Sequence, residues 1–256
     1  MGRALVQRFP QRSVFISPNL SRAGLAADVD PLFDTVPANI RLEEDAALHL
    51  DVALRSYKAE ALSEFVRHVL LMNIEGARTA FATCGEFPLV LTRDLRIARD
   101  WLRRRQRGSR RIGLIASSGG RRLRAHGLDV RTELDVENWF LNPKHDVRSS
   151  YYLETPATEF GIQGLELDWT GLCWDLDLVP STGNWRTQAF KGTHWQKVQD
   201  VTRRRYILNK YRVLLTRARE GVIIWVPRGS SSDSTRPMTE YDAIADYLRA
   251  CGLPEI

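Results

Sequence analysis

The stretch that decides the fold runs from Pro88 to Ala116 and reads PLVLTRDLRIARDWLRRRQRGSRRIGLIA. Its first five residues are typical of a buried strand, and its last five, Ile112 to Ala116, form a second apolar run. Between them the pattern predicts a helix from Asp94 to Arg105, because the Asp94 side chain can cap the first turn. A helix that joins two buried strands is typical of a mostly parallel sheet, so the sequence predicts an α/β fold.

The same alternation of strands and helices continues on both sides of this unit. Val14 to Ile16 reads as a short strand, and apolar residues recur at helical spacing from Ala59 to Leu71. A basic helix is expected after Ser117 to Gly120, and the segment 175–199, which lacks periodicity, is expected to be a long loop. Further strands are predicted at Tyr151–Leu153, Gly171–Trp174 and Val222–Val226, and further helices within Val201–Glu220 and at Glu240–Ala250.

Composition sets the class of protein. The chain has 256 residues, of which 43% are hydrophobic and 27% charged, as in ordinary globular proteins. No apolar run approaches the roughly 20 residues of a membrane span, so no membrane partner is expected. Cys84, Cys173 and Cys251 lie far apart, which favours neither a disulfide framework nor a metal site and fits a cytoplasmic location. The formal net charge of +6 leaves nucleic-acid binding open without establishing it.

Three short segments could carry chemistry. In the first, DVALRSYK at 51–58, Arg55 ends an apolar run and could present its guanidinium to a bound anion, or could simply be a surface arginine. In the second, TEFGIQGLELD at 158–168, the glycines allow a ligand to approach the backbone closely, or form a plain turn. In the third, NKYRVLLTRAREGVIIWVP at 209–227, Arg217 stands in a run that otherwise looks buried, where an arginine needs an anionic partner.

The three segments, in this order, resemble motifs IV, V and VI of superfamily-1 nucleic-acid helicases. Motif V usually ends in Lys-Gly-Leu-Glu-Phe-Asp, and here Gln163 replaces the Lys and Leu167 the Phe. The sequence around these segments, from about Ser13 to Leu253, resembles the Schlafen-group-3-like DNA/RNA helicase domain family. The segments that carry this closer resemblance include FPLVLTRDLRIARDWL, RIGLIASSGGRRLRAHG, DVRSSYYLE and GLCWDLDL.

The resemblance implies a fold and a domain organisation. The fold would be a three-layer α/β sandwich around a mostly parallel, RecA-like sheet, corresponding to the second, C-terminal RecA-like domain of such helicases. Residues 1–40 would be the residual end of the first RecA-like domain and a linker, and residues 41–256 the C-terminal domain.

The resemblance also implies roles for individual residues. Arg55 and Arg217 would be arginine fingers, which stabilise the charge that develops on a transferred phosphoryl group. Gln163, Gly164 and Glu166 would lie at the bound nucleotide, where motif V couples it to the nucleic acid. Thr158, Ser117 and Ser118 would be candidates for contacts to the phosphate backbone.

The sequence contains neither a Walker A loop, GxxxxGK[ST], nor an acidic Walker B strand. We therefore expect ATP and Mg²⁺ to bind only with a missing N-terminal ATPase domain, supplied in cis or in trans. The chain would then be a truncated product, a fragment or a split subunit, inactive as an ATPase alone. The alternatives are a non-catalytic nucleic-acid-binding module and an inert remnant.

The expected partner is DNA or RNA, in single-stranded form. Arginine clusters at 103–105, 121–122 and 203–205 would suit a track for a single strand, although as exposed helix faces they need no function. Tryptophans could provide stacking platforms, although in globular proteins they more often belong to the core. The tryptophans in question are Trp139, Trp169, Trp174, Trp185 and Trp195.

Overall fold

The computed structural model describes residues 8–9, 13–18, 32–33, 35–48, 57–85 and 87–256. The chain divides into two compact units, Met1–Leu54 and Arg55–Ile256. In the first unit, β1 (Ser13–Ile16) pairs in parallel with β2 (Arg41–Glu44), which leads into a 3-10 turn at Ala46–Leu48. The predicted strand at Val14 to Ile16 is confirmed, and the predicted domain boundary near residue 40 stays a prediction.

The second unit contains the stretch that decides the fold, and its described part holds six α-helices and eight strands. In chain order these are α1 (Tyr57–Leu70), α2 (Ile74–Thr83), β3 (Leu89–Thr92), α3 (Leu95–Arg105), β4 (Ile112–Ala116), α4 (Val136–Leu141), β5 (Ala157–Thr158), β6 (Leu167–Cys173), β7 (Leu178–Ser181), β8 (Asn184–Lys191), β9 (His194–Lys197), α5 (Val201–Leu215), β10 (Ala218–Trp225) and α6 (Met238–Ala250).

Five strands form one all-parallel sheet in the order β3-β10-β6-β4-β5. The register places Val222 of β10 opposite Leu89 of β3 on one side and Thr170 of β6 on the other. All five residues of β4 are buried, as expected for an inner strand covered on both faces. The predicted α/β fold with a parallel sheet is therefore confirmed.

Helices cover both faces of this sheet, which gives three layers. Successive residues of a strand point to opposite faces, and β10 shows the effect directly. Val222 and Ile224 belong to one hydrophobic cluster, whereas Ile223 and Trp225 belong to the other. The first cluster includes residues of α1, α5 and α6, and the second includes residues of α3. The core is consistent with a RecA-like sandwich.

Side-chain caps fix where several helices begin. Asp94 accepts a hydrogen bond from the Arg96 N–H at 2.7 Å and starts α3, as predicted. Asp200 accepts from the Arg203 N–H at 2.7 Å and starts α5, the longest helix in the described part of the chain. Such caps satisfy backbone donors that have no partner within the helix.

Two local predictions were wrong. The segment 175–199 is not a loop, because it contains the antiparallel three-stranded sheet β7-β8-β9. Tyr151–Leu153 is not a strand, since Ser150–Tyr152 forms a 3-10 turn. The predicted basic helix after Gly120 is present as a 3-10 helix, Arg121–His126. The predicted helix within Val201–Glu220 is confirmed as α5, which ends at Leu215, so that Arg219 lies in β10.

Candidate functional site

Arg217 lies at the amino end of the parallel sheet, in the short connection between α5 and β10. Its Nη1 donates a hydrogen bond to the main-chain oxygen of Leu165 at 3.0 Å. The neighbouring Arg219 places its Nε 3.1 Å from the Glu166 carboxylate. The structure thus brings the segment that resembles motif VI against the segment that resembles motif V.

The segment that resembles motif V forms a compact turn just before β6. The Ile162 N–H donates to the Thr158 oxygen at 3.1 Å, and the Leu165 N–H donates to the Ile162 oxygen at 3.1 Å. Gly164 has a φ of +80°, a conformation that L side chains rarely adopt. Gln163 and Gly164 are exposed at the tip of this turn, whereas Glu166 is half-buried beside Arg219.

Arg55, the other predicted arginine finger, lies outside the described residues, as does most of the segment that resembles motif IV.

The carboxyl end of the sheet carries the predicted phosphate-contact residues. Ser118, in the loop after β4, is held by Glu159, in the loop after β5. The Ser118 N–H donates to the Glu159 carboxylate at 2.9 Å and the Ser118 hydroxyl donates at 2.6 Å. Lys210 of α5 donates to the Ser118 hydroxyl at 2.8 Å and lies 3.1 Å from the Glu159 carboxylate. Thr158 is the last residue of β5 and is half-buried next to this cluster.

Residues 158–167 connect the two ends of the sheet. At the carboxyl end Glu159 contacts Ser118 and Lys210, and at the amino end Leu165 contacts Arg217. The Glu159 side chain is only 8% exposed, so its contacts are shielded from water. One short segment therefore holds the predicted phosphate contacts and the predicted arginine finger.

Ser117 has a different environment from Ser118. It is 1% exposed, and its hydroxyl donates to the Asp177 carboxylate, which also accepts from the Tyr211 hydroxyl at 2.6 Å. Asp175 is buried as well, and it accepts from the Tyr241 hydroxyl at 2.6 Å. Two buried carboxylates thus follow β6 directly, each hydrogen-bonded to a tyrosine from a helix.

Burial dominates the electrostatics of these two carboxylates. The pKa of Asp177 is raised to about 7, chiefly by burial and also by the nearby Asp175 charge, while hydrogen bonds from Ser117 and Tyr211 and the Lys210 charge oppose the shift. Burial also raises the pKa of Asp175, against hydrogen bonds from Tyr241 and from the Arg122 N–H. The pKa values of both tyrosines are raised, chiefly by burial, so both remain hydrogen-bond donors.

Sequence reasoning missed Glu159, Lys210, Asp175 and Asp177. A signal for the last two was present, since both carboxylates come directly after a buried strand, where parallel sheets place their functional loops. Glu159 and Lys210 gave no such signal, because only the fold brings α5 against the loop after β5.

Most of the tryptophans considered as stacking platforms belong to the core. Trp139, Trp174 and Trp185 are at most 6% exposed, and the Nε1 of Trp174 donates to the Leu178 oxygen at 2.9 Å. Trp169 and Trp195 are half-buried. The three buried rings are inaccessible to a nucleic-acid base in this structure.

The three cysteines are also buried and carry no disulfide.

Comparison with known proteins identifies a family for this chain. The family described as Schlafen group 3, DNA/RNA helicase domain, matches residues 21–228, most of the chain. The chain therefore belongs to this family, which points to a helicase-related function on nucleic acid and, in general, to dependence on a nucleotide and a metal. No match was found among curated proteins or among solved structures.

Two features are absent from the part of the chain that the structure describes. None of the helices in the described ranges is long and apolar enough to cross a membrane. The same residues contain no group of three or more His, Cys, Asp or Glu side chains arranged to hold a metal ion.

Proposed function

We propose that this chain supplies the arginine-bearing, C-terminal RecA-like half of an ATP-dependent superfamily-1 DNA or RNA helicase or translocase. The observation that carries the proposal is the hydrogen bond from Arg217 to the Leu165 oxygen, which joins the segments that resemble motifs V and VI. Membership of the helicase-domain family over residues 21–228 supports the same assignment.

Arg217 would act on the γ-phosphate of ATP. A guanidinium stays charged at all physiological pH values and can bind phosphate through two parallel hydrogen bonds. Its charge stabilises the transferred phosphoryl group, an effect worth 10³–10⁵ in rate in enzymes that use such an arginine. In this proposal Arg55 is a second finger, and Gln163, Gly164 and Glu166 form the part of the turn that faces the nucleotide.

The fit to the cofactors differs between ATP and Mg²⁺. Arg217 and the open main chain at Gly164 suit an anionic phosphate group. The described residues contain no group of three or more potential metal ligands, and Mg²⁺ at a nucleotide site is held largely by phosphates and water. We therefore assign Mg²⁺ and the phosphate-binding loop to a partner RecA-like domain, in cis or in trans.

Nucleic acid would contact the carboxyl end of the sheet. Ser118 and Thr158 lie there beside Lys210, and Ser117 holds the loop that presents Ser118. In this proposal the segment 158–167 links occupancy of the nucleic-acid site to the position of Arg217, because it touches both.

ATP turnover tests this function. The purified chain should show no turnover with or without single-stranded DNA. Co-expression with a RecA-like domain of the same family that carries a Walker A loop should give turnover that single strands stimulate. Arg217→Ala in that complex should reduce turnover about 10³-fold or more, with Arg217→Lys as the charge-retaining control. Turnover by the chain alone that Arg217→Ala abolishes would show that it forms a nucleotide site without a partner.

A non-catalytic nucleic-acid-binding module is the second candidate, and the basic cleft described below favours it. That function requires binding to single strands that is indifferent to ATP and to Arg217→Ala, both in the chain alone and in the complex.

A further inference from the structure

A cleft of about 550 Å³ opens beside the carboxyl end of the parallel sheet. Its first wall is the loop after β4, including Ser118 and Arg121; its second is the β8-β9 hairpin; and its third is one face of α5. The α5 residues recur at helical spacing (Asp200, Arg203, Tyr206, Ile207 and Lys210), so they lie on a single face of the helix. We refer to this cavity as the α5 cleft.

The α5 cleft is strongly basic. Its lining includes the cations of Arg121, Lys191, Lys197, Arg203 and Lys210, and a single carboxylate, that of Asp200. The Asp200 carboxylate already accepts the hydrogen bond that caps α5. A concave surface lined by one sign of charge concentrates the field and attracts ions of the opposite sign.

Four of these cations have no carboxylate partner among the described residues. Lys210 is paired with Glu159 at 3.1 Å. Arg121, Lys191, Lys197 and Arg203 form no ion pair within the part of the chain that the structure describes. In contrast, Arg122, the neighbour of Arg121, is bound to Asp233 at 2.7 Å. The lining of the cleft therefore carries positive charges that no carboxylate of the described residues neutralises, unlike the charge of Arg122.

An aromatic ring projects into this basic surface. Tyr206 lies on the cleft face of α5 and is 58% exposed. No hydrogen bond or ring contact of Tyr206 occurs within the described residues. Phe190 of β8 also lines the cleft, but its ring already packs edge-on against Trp195, with centroids 5.2 Å apart. Tyr206 is therefore the lining aromatic with a face available to a ligand.

We propose that a single strand of DNA or RNA binds in the α5 cleft, with Arg121, Lys191, Lys197 and Arg203 on its phosphates and Tyr206 stacked on a base. Basic grooves with aromatic platforms are the arrangement by which proteins hold single strands without sequence preference. The proposal deepens the proposed function and rests on it, since it names the surface through which the chain would hold its nucleic acid.

The dimensions and chemistry of the cleft favour a short single-stranded segment. The α5 face from Asp200 to Lys210 spans about 15 Å at 1.5 Å per residue. A strand with stacked bases carries one phosphate per 3.4 Å, so about four nucleotides match this length. Stacking on Tyr206 requires a base with a free face, which a paired duplex does not offer.

Fluorescence anisotropy with labelled oligonucleotides tests the proposal on the full chain. The probes are a 20-nucleotide poly(dT), a 20-nucleotide poly(rU) and a 20-base-pair blunt DNA duplex, each titrated at several salt concentrations. We expect single strands to bind more tightly than the duplex. The slope of log K against log salt should be about −3, as four phosphate contacts at about −0.7 each predict.

Two substitutions locate the site. Arg203→Glu should weaken single-strand binding about tenfold and make the salt slope shallower by about 0.7. Glutamate at this position, three residues after the Asp200 cap, favours the helix N-terminus, so α5 should stay folded. Tyr206→Ala should weaken binding about tenfold with little change in slope, whereas Tyr206→Phe should retain most of the affinity.

Arg107→Glu is the matched control. Arg107 is exposed near the amino end of β4, outside the cleft lining, so its reversal should leave the affinity within about twofold. Melting curves confirm that each variant is folded. If the chain binds single strands but Arg203→Glu and Tyr206→Ala bind as the wild type does, the cleft is not the site, although the proposed function survives. Equal affinity for the duplex also overturns the single-strand assignment. A chain that binds no strand at all contradicts both proposals.

Discussion

The two ends of the parallel sheet hold their polar residues in opposite ways. At the carboxyl end, Asp175 and Asp177 are fully buried, and each accepts a hydrogen bond of 2.6 Å from a tyrosine of a helix. At the amino end, Arg217 is half-buried on a main-chain oxygen, and the Arg219 side chain of the neighbouring ion pair is 63% exposed. Charged groups interact strongly in a buried environment and weakly in water.

This difference indicates that the two ends of the sheet have different roles. The carboxyl end is a fixed frame that locks the loops after β4 and β6 against α5 and α6, and the α5 cleft is built beside it. The amino end holds its arginines by contacts that cost little to rearrange, and the proposed contact of Arg217 with a nucleotide would require such freedom. Substitutions at the carboxyl end should therefore change stability, and those at the amino end should change activity at nearly constant stability.

The largest effect on stability is expected for Asp175→Ala. The substitution leaves the Tyr241 hydroxyl and the Arg122 N–H without their acceptor in a buried site. Each unsatisfied buried donor costs about 1–3 kcal/mol, so we expect a loss of about 3 kcal/mol in the free energy of unfolding. Urea denaturation followed by circular dichroism measures this loss, and Tm should fall by about 6–12 °C.

Asp168→Ala is the matched control from the amino end. The half-buried Asp168 carboxylate accepts one hydrogen bond, from the Arg111 N–H at 2.6 Å, and we expect a loss of about 1 kcal/mol. Equal losses in the two variants would remove the contrast between the two ends.

The parallel sheet could be predicted from the sequence because its strands are continuous apolar runs. Ile112–Ala116 is buried throughout, Leu89–Thr92 is buried except for the half-buried Val90, and a capped helix separates the two runs, so periodicity alone identified them. The segments that resemble motifs V and VI were recognised from their order, and the structure places Arg217 against Leu165.

The antiparallel sheet could not be predicted in the same way. Two of its strands, β7 and β9, have only four residues each, and polar residues interrupt all three strands, so no long apolar run marks them. The α5 cleft was missed for a related reason. Lys191 belongs to β8, whereas Arg203 and Tyr206 belong to α5. The sequence does not show that these two elements meet, and only the packing of the antiparallel sheet beside α5 brings the three side chains to one cavity.

The pH dependence of stability gives a further test of the contrast between the two ends, because the buried Asp177 carboxyl at the carboxyl end titrates. Its pKa in the folded protein is about 7, against an ordinary value of 3.8, so between these values the folded state holds a proton that the unfolded state has lost. The contribution of this carboxyl to stability therefore falls as pH rises from about 4 to 7, and is constant above 7.

Asp177→Asn should remove this dependence, since the amide keeps an acceptor for Tyr211 and does not ionise. The difference in unfolding free energy between variant and wild type should shift in favour of the variant by about 1.4 kcal/mol per pH unit between pH 5 and 7. The charges of Asp175 and Lys210 face the same site and are retained in both proteins. Urea titrations at pH 5, 6, 7 and 8 give this difference, and parallel curves would show that Asp177 is ionised throughout.

A smaller effect on stability is expected for Arg217→Ala. Loss of the hydrogen bond to the Leu165 oxygen should lower the free energy of unfolding by about 1 kcal/mol, a typical value for one such bond. The same variant is expected to lose about 10³-fold or more of the turnover of the assembled ATPase, so the two measurements separate a catalytic role from a structural one. A loss of stability as large as that of Asp175→Ala would mean that Arg217 is a structural arginine.

The smallest effect is expected for the ion pair between Arg219 and Glu166. The Arg219 side chain is 63% exposed and the Glu166 side chain 30% exposed, so water and salt screen most of their attraction. A double-mutant cycle with Arg219→Ala and Glu166→Ala, measured by urea denaturation, should give a coupling energy of about 0.2–1 kcal/mol, and less at high salt. Because Glu166 belongs to the turn that contacts Arg217, a coupling of several kcal/mol would mean that the amino end is as rigidly built as the carboxyl end. In that case movement of this turn could not link the proposed nucleic-acid site to Arg217.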